Sequence, residues 1–326
     1  MRKSDLQSDY DEADLEIGDR KKAAAGITGV TVAMKRSLEQ MGLVRSAETL
    51  LELNQAEGFD CPSCAWPDPD PGHRKIAEFC ENGAKAVAEE GTKRRADPDF
   101  FARYSIDELA AHSELWLGKQ GRITHPMVKR PGATHYTPIE WDEAFALIGE
   151  QLKSLDSPDQ ATFYTSGRAS NEAAFVYQLF ARAFGTNNLP DCSNMCHEST
   201  SIALQESIGI GKASVMLDDV HNAELIILQG QNPGTNHPRM LTALEEAKQN
   251  GAKILTINPL REAGLVNFRN PQTPRGVLGR GTDLSDLHLS INVNGDLALL
   301  QAFGSLLVEW DALDHDFVRQ YTRGFD

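Results

Sequence analysis

One stretch, Glu224 to Asn258, restricts the fold more than any other part of the sequence. It opens with an apolar run of strand length at Leu225 to Leu228 and continues through a polar loop from Gly230 to His237. Met240, Leu241, Leu244 and Ala247 then recur at the spacing of one helix face, Gly251 supplies a stop, and Lys253 to Ile257 reads as a second strand. Two strands joined by a helix in this way lie parallel, and such crossovers are right-handed almost without exception. The alternation recurs upstream, with a strand at Ala161 to Thr165, a turn at Ser166 to Asn171, and a helix carrying Phe175, Leu179, Phe180 and Phe184. It recurs downstream with a strand at Leu287 to Val293 and a helix at Asp296 to Val308. From Lys119 onward the expected fold is α/β with a largely parallel sheet, without internal repeats or low-complexity tracts.

Charge and composition exclude several classes of function. The chain has 326 residues and a formal net charge of −15, which opposes attraction to phosphate backbones and anionic membrane surfaces, so nucleic acid is not an expected partner. No apolar run reaches the length of a membrane-crossing helix, so no membrane insertion is expected. The N-terminus turns acidic through Asp5, Asp9, Asp11, Glu12, Asp14 and Glu16 without an apolar core or twin arginines, which points to a cytoplasmic protein. Residues 1–57 read as an acidic extension that becomes helical in pattern, with Leu43, Ala47, Leu50 and Leu51 on one face, suited to a docking arm.

Five cysteines are too few and too scattered for a disulfide scaffold, and suit metal ligation or redox chemistry instead. Three fall in residues 58–118, a segment thin in apolar residues and rich in turns at Pro67 to Gly72. Small regions of this kind often need a metal to offset chain entropy. Cys61-Pro62-Ser63-Cys64 brings two thiols into one tight turn, and Cys80 follows. Structural zinc, with His73 as a fourth ligand, an iron-sulfur cluster, and unliganded thiols all remain open on spacing alone.

The other two cysteines lie in Asp191-Cys192-Ser193-Asn194-Met195-Cys196-His197-Glu198-Ser199-Thr200. A thiol beside an imidazole suits a nucleophile or a soft-metal ligand with a proton-transfer partner, and a helix starting at Ser199 and Thr200 would lower the thiol pKa. A buried cysteine beside a surface histidine explains the same spacing. Open parallel sheets bind ligands at the carboxyl ends of their strands. Three loops qualify, Ser166 to Asn171, Gly230 to His237 and Asn258 to Arg261, and they carry glycines, hydroxyls, amides and arginines. The usual nucleotide fingerprints fail in the one stretch that approximates them: around Gly209-Ile210-Gly211-Lys212, Ser214 occupies the third glycine position of one motif and Glu206 the first of the other.

Several ordered motifs together resemble the molybdopterin-guanine-dinucleotide oxidoreductases, the family of formate dehydrogenase and nitrate reductase catalytic subunits. They are Thr124-His125-Pro126-Met127-Val128-Lys129-Arg130, Ile139-Glu140-Trp141-Asp142-Glu143-Ala144, Ala181-Arg182-Ala183-Phe184-Gly185-Thr186-Asn187-Asn188, Cys196-His197, Asn232-Pro233 with His237-Pro238, and Gly251-Ala252-Lys253. Within the family the sequence is most similar to formate-dehydrogenase-like alpha subunits, whose cysteine or selenocysteine is followed by histidine. The resemblance implies that Cys196 ligates molybdenum and His197 accepts the proton. It implies that Ser166, Gly167, Arg168 and Asn171 approach one pterin nucleotide, while Gln231, Asn232, Thr235, His237, Asn258 and Arg261 hold the other. Cys61, Cys64 and Cys80 would then carry an iron-sulfur cluster of the 4Fe-4S type. The implied fold is a small metal-binding domain at 58–118, the first part of an α/β pterin-binding domain at 119–190, and a second, Rossmann-like α/β domain at 191–326 that is incomplete. The implied reaction moves electrons from a small substrate, formate or similar, through molybdenum to the cluster and on to a redox partner protein.

The sequence departs from the family pattern at named positions. Asp68 stands where the third cluster cysteine would fall, Asn82 stands where a lysine is common with Lys85 displaced from it, and Asn258-Pro259-Leu260-Arg261 replaces an Asp-Pro-Arg. The chain is also less than half the family's usual length, and the expectation is a fragment or truncated product lacking a later arginine and a cap domain. Two rival readings follow: an inactive fragment or split-gene part that binds nucleotide or metal, and a zinc-stapled interaction module.

Overall fold

A computed structural model describes residues 18–325 apart from Ala65, Ser166, Arg168 and Asp191, and residues 192–196 through their backbone alone. The chain divides into two compact units, one containing Ala25–Asp219 and the other containing Val220–Asp326 together with Lys22–Ala24.

In the first unit, helices α1 (Gly26–Met41) and α2 (Leu43–Glu52) pack with helix α3 (Glu81–Glu90). The buried face of α1 is Gly26, Gly29, Ala33, Ser37, Gln40 and Met41, and that of α3 is Gly83, Ala84, Ala86, Val87 and Ala88. The glycines, alanines and serine among them let two helix backbones approach closely. Ala33, Leu50, Leu53, Ala84 and Val87 form the core between them, with Cys61 and Phe79 packed against it. Of the apolar face expected on the N-terminal extension, Leu50 is buried here, whereas Leu43 and Leu51 are exposed. At the end of α3, Gly91 donates to the Val87 carbonyl, and a methyl group there would lie 2.7 Å from Met41 Sδ, so the chain turns in contact with α1.

Residues 95–138 form a small aromatic core of Phe101, Leu109 and Trp116 with Ala96, bordered by Phe100, Tyr104, Met127 and Tyr136. Three short helices frame it, and each starts on a side-chain cap. Asp97 accepts from Phe100 N–H, Ser105 and Glu108 form a reciprocal capping box, and Ser113 accepts from Trp116 N–H. Beyond this core lie helices α4 (Trp141–Lys153), α5 (Asn171–Phe184) and α6 (Cys192–Ile208). Trp141, Phe145 and Ile148 on α4 and Phe175, Val176 and Leu179 on α5 are exposed. Residues 161–165 are not a ladder strand, contrary to the sequence expectation. They are held through Phe163 N–H to the Asn188 carbonyl and by the Asn188 amide on the Ala161 carbonyl, so one loop amide stands in for a neighbouring strand.

The second unit is built on a parallel sheet of three strands, β1 (Leu225–Gln229), β2 (Lys253–Ile257) and β3 (Leu287–Leu289), in the order β1-β2-β3. Helix α7 (Met240–Gln249) makes the crossover, and Gly251 at φ 103° turns the chain from α7 into β2. This is the anticipated βαβ unit. Leu228, Leu241, Leu244, Ile254, Leu265, Phe268 and Leu284 form its core. The strand expected at Leu287 to Val293 stops at Leu289, and helix α8 (Asp296–Glu309) follows after Gly295. Glu245 on α7 is buried with both carboxylate oxygens satisfied, by the Asn270 amide at 2.6 Å and the Thr282 hydroxyl at 2.7 Å, which ties the 270–282 loop to the helix. No described helix is long and apolar enough to cross a membrane.

Leu244 is fully buried, so Leu244→Ala should lower the unfolding free energy by about 2–5 kcal/mol. Phe145→Ser on the exposed face of α4 should change it by no more than about 0.5 kcal/mol in this chain. Chemical denaturation followed by circular dichroism checks both, and equal losses would contradict the described core.

Candidate functional site: a cysteine centre and two strand-end loops

Helix α3 begins at the centre of the first group. Cys80 is its N-cap residue, and its sulfur accepts from Gly83 N–H at 3.4 Å. Burial pushes the Cys80 thiol above its ordinary pKa, the Gly83 N–H opposes that shift, and the neighbouring Cys64 and Cys61 push it further up. The turn at Cys61–Cys64 therefore lies beside Cys80. A methyl group on Gly83 would lie 3.0 Å from Cys61 Sγ and 3.9 Å from Cys80 Sγ, so the helix backbone passes directly behind both sulfurs. All three thiols are half-buried.

The polar frame around them comes from a residue the sequence reading passed over. Asn54, just past the end of α2, is 2% exposed and has φ 56°, a left-handed conformation that asparagine tolerates better than most residues. Its side-chain oxygen accepts from Cys61 N–H at 2.7 Å and its amide donates to the Glu78 carbonyl at 2.7 Å. Its own carbonyl accepts from Arg74 Nη1 at 2.9 Å, and its N–H donates to the Phe59 carbonyl at 2.8 Å. Arg74 Nε in turn donates to the Pro69 carbonyl, and Asp68 pairs with Arg74 at 4.0 Å. Lys85 reaches back one turn to Glu81 at 2.8 Å. His73 is exposed at the end of a single 3-10 turn, and among the described residues no group of three or more His, Cys, Asp or Glu is disposed to hold a metal ion.

The second group lies at the carboxyl ends of β1 and β2. Asn258, 6% exposed, directs its amide to the Gln231 carbonyl at 3.3 Å and to Asn232 Oδ1 at 3.1 Å, while its side-chain oxygen accepts from Leu260 N–H at 3.0 Å. Gly230 N–H donates to the Ile257 carbonyl, which holds the two loops side by side. Asn232 precedes a one-turn helix, Pro233–Asn236, that contains Thr235 and ends at His237. Gln231, Thr235 and Arg261 are exposed, and Asn232 and His237 are half-buried. Glu262, not singled out from sequence, reaches this turn as well: its Oε1 occupies the space that a methyl group on Gly234 would need, 2.1 Å away. The spacing of a lone glutamate gives no signal for such a contact.

The remaining expected residues are placed as follows. Gly167 is an exposed turn residue and Asn171 an exposed residue at the start of α5, whose first turn is capped by Ser170 on Ala173 N–H. Ser166 and Arg168 lie outside the described residues. Helix α6 starts at Cys192, seven residues before the Ser199 start expected from sequence. Cys196 and His197 are therefore inside the helix, and no glycine or proline interrupts the segment until Gly209. The helix start expected just after Cys196 therefore does not occur there. His197 is exposed, and the Cys196 side chain lies outside the description.

Comparison with known proteins places this architecture. The molybdopterin oxidoreductase family model matches residues 122–309, a stretch that contains α4 to α8 and the whole three-stranded sheet. An uncharacterized oxidoreductase of Mycobacterium tuberculosis is 57% identical over 328 residues, covering 99% of this chain and 42% of that protein. Protein YdeP of Escherichia coli is 44% identical over 317 residues, covering 94% of this chain and 42% of its own length. Formate dehydrogenase H of Escherichia coli is 31% identical over 273 residues, covering 82% of this chain and 34% of its own. The chain spans about two-fifths of the length of the first two relatives. With the family model matched over more than half of its residues, the chain belongs to the molybdopterin oxidoreductase family.

Proposed function

We propose that this chain forms the cofactor-binding part of a molybdenum-dependent oxidoreductase of the formate dehydrogenase type. The observation that carries the reading is Asn258: it draws the loops after β1 and β2 together within the stretch matched by the family model. Membership of the family supplies the cofactor class, molybdopterin. In the guanine dinucleotide form, one half would be held by Gln231, Asn232, Thr235, His237 and Arg261 around Asn258, and the other by Ser166, Gly167, Arg168 and Asn171. The exposed amide, hydroxyl and guanidinium groups of Gln231, Thr235 and Arg261 fit a polar, anionic ligand.

When bound, the molybdenum centre supplies two-electron chemistry, and the protein supplies orientation and charge. Cys196 would ligate the metal. His197, one residue on and exposed, would take up the proton that formate loses with two electrons on becoming carbon dioxide. Formate is supported by the 31% identity to formate dehydrogenase H. Cys61, Cys64 and Cys80 would hold the iron-sulfur cluster. What supports the cluster is that three half-buried thiols gather at one helix N-terminus, although as they stand they do not form a metal-holding group, and Asp68, where the family has a cysteine, pairs with Arg74. A cytoplasmic setting and a redox partner protein complete the reading, since the acidic chain suits neither nucleic acid nor an anionic membrane surface.

Metal analysis of the purified protein should find molybdenum with iron, and zinc alone would overturn the reading in favour of a zinc-stapled module. Cys196→Ala should lose molybdenum while retaining iron, and retention of both metals together with formate oxidation would remove Cys196 from its role. Gly83→Ala places a methyl group 3.0 Å from Cys61 Sγ and should reduce iron uptake on anaerobic incubation with ferrous iron and sulfide, measured as iron per chain. Uptake should also rise with pH above neutrality, because the Cys80 thiol, held above its ordinary pKa, must lose its proton to bind; a flat profile would contradict that shift.

A further inference from the structure

We propose that Asn54 is the positioning residue of the cysteine centre, its carboxamide setting the span between Cys61 and Cys80. The proposal rests on the reading of Cys61, Cys64 and Cys80 as the iron-sulfur ligands. Asn54 belongs to the N-terminal helical segment, outside every motif that carries the family resemblance. It nevertheless touches each segment that reaches the thiols. Its side-chain oxygen holds the N–H of Cys61 itself, and its amide holds the carbonyl of Glu78, two residues before Cys80. Through its own carbonyl it holds Arg74, which fixes the turn at Asp68 and Pro69.

Two features show that these bonds depend on asparagine. The side chain must offer an acceptor and a donor at once, because one end meets an N–H and the other a C=O. Aspartate would keep the first bond and set a carboxylate oxygen against the Glu78 carbonyl. The residue must also sit at φ 56°, which disfavours β-branched and bulky substitutes. Because Asn54 is 2% exposed, water cannot readily take the place of its carboxamide, and removing that group deletes the bonds to the Cys61 N–H and the Glu78 carbonyl. A cluster with three thiolate ties has one fewer covalent constraint than a four-cysteine cluster, so its hydrogen-bonded frame carries more of the ordering.

The test compares the whole chain with Asn54→Gly and Asn54→Asp. Glycine adopts the left-handed conformation freely and removes the side chain with both of its bonds, while aspartate keeps the shape and one bond. Each protein is reconstituted anaerobically with ferrous iron and sulfide, and circular dichroism confirms the helical content. Iron and sulfide per chain, the rate of iron loss to a chelator, and the reduction potential are then measured. Asn54→Gly should lose iron about ten-fold faster or more than the unaltered chain, with a shifted potential, and Asn54→Asp should fall between the two. A second readout needs no metal: crosslinking of Cys61 to Cys80 by a short dithiol-reactive reagent in a Cys64→Ser background should slow on adding Asn54→Gly. Unchanged iron retention and unchanged crosslinking in a folded Asn54→Gly protein would overturn the proposal. If the unaltered chain takes up no iron, the cluster assignment fails by itself, and the crosslinking rate still decides whether Asn54 sets the span.

Discussion

The close approach of α1 to α3 is the constraint on which the cysteine centre depends. The buried faces of the two helices are dominated by glycine, alanine and serine on α1 and glycine and alanine on α3. That contact fixes α3, and with it Cys80 at the helix N-terminus and Gly83 behind the Cys61 and Cys80 sulfurs. The core beneath, with Leu50, Leu53 and Val87, also seats Cys61 and Phe79. The N-terminal helices thus form one wall of the thiol-bearing region. This is how a stretch with few apolar residues of its own keeps its turns ordered: it borrows a hydrophobic face from the helices that precede it.

Long-period patterns were readable from the residues, and contacts between distant polar groups were not. The βαβ unit is the clearest case: β2 falls on Lys253–Ile257, and α7 on the helix anticipated around Met240 to Ala247, because apolar periodicity and Gly251 act locally. The strand at 161–165 failed because its hydrogen-bonding partner is a loop amide from Asn188, a contact with no periodic signature. The start of α6 was misplaced for a related reason, since Ser199 and Thr200 look like caps but the preceding segment contains nothing that breaks a helix. In the candidate site, cysteine spacing pointed to the thiols, whereas Asn54 and Glu262 act across 24 residues and 28 residues respectively and leave no mark on either spacing or composition.

Charge distribution adds a second layer to this division. A net charge of −15 over the chain works against binding an anionic nucleotide or cluster, so local positive ends have to supply the attraction. On the proposed reading, the N-terminus of α3 would do so at the thiols and the exposed Arg261 beyond β2. Neither device involves a large basic patch, so an acidic composition is compatible with the proposed anion-binding role.

Two asparagines, 54 and 258, use one physical arrangement in the two units. Each is nearly excluded from solvent, each spends its side-chain oxygen on a backbone N–H, and each spends its amide on a loop that bears proposed ligand-binding residues. An aspartate has no donor to offer, so it could hold only one side of such a joint. At position 258 this matters for the departure from the family's Asp-Pro-Arg. With its donor and acceptor both committed to Gln231, Asn232 and Leu260, Asn258 acts on the loops, and the proposed contact with a nucleotide would fall to the exposed side chains of Gln231, Thr235 and Arg261. On the proposed reading, the substitution would exchange a charged ligand contact for a fixed loop geometry, and selectivity there would depend on how rigidly the two loops are held.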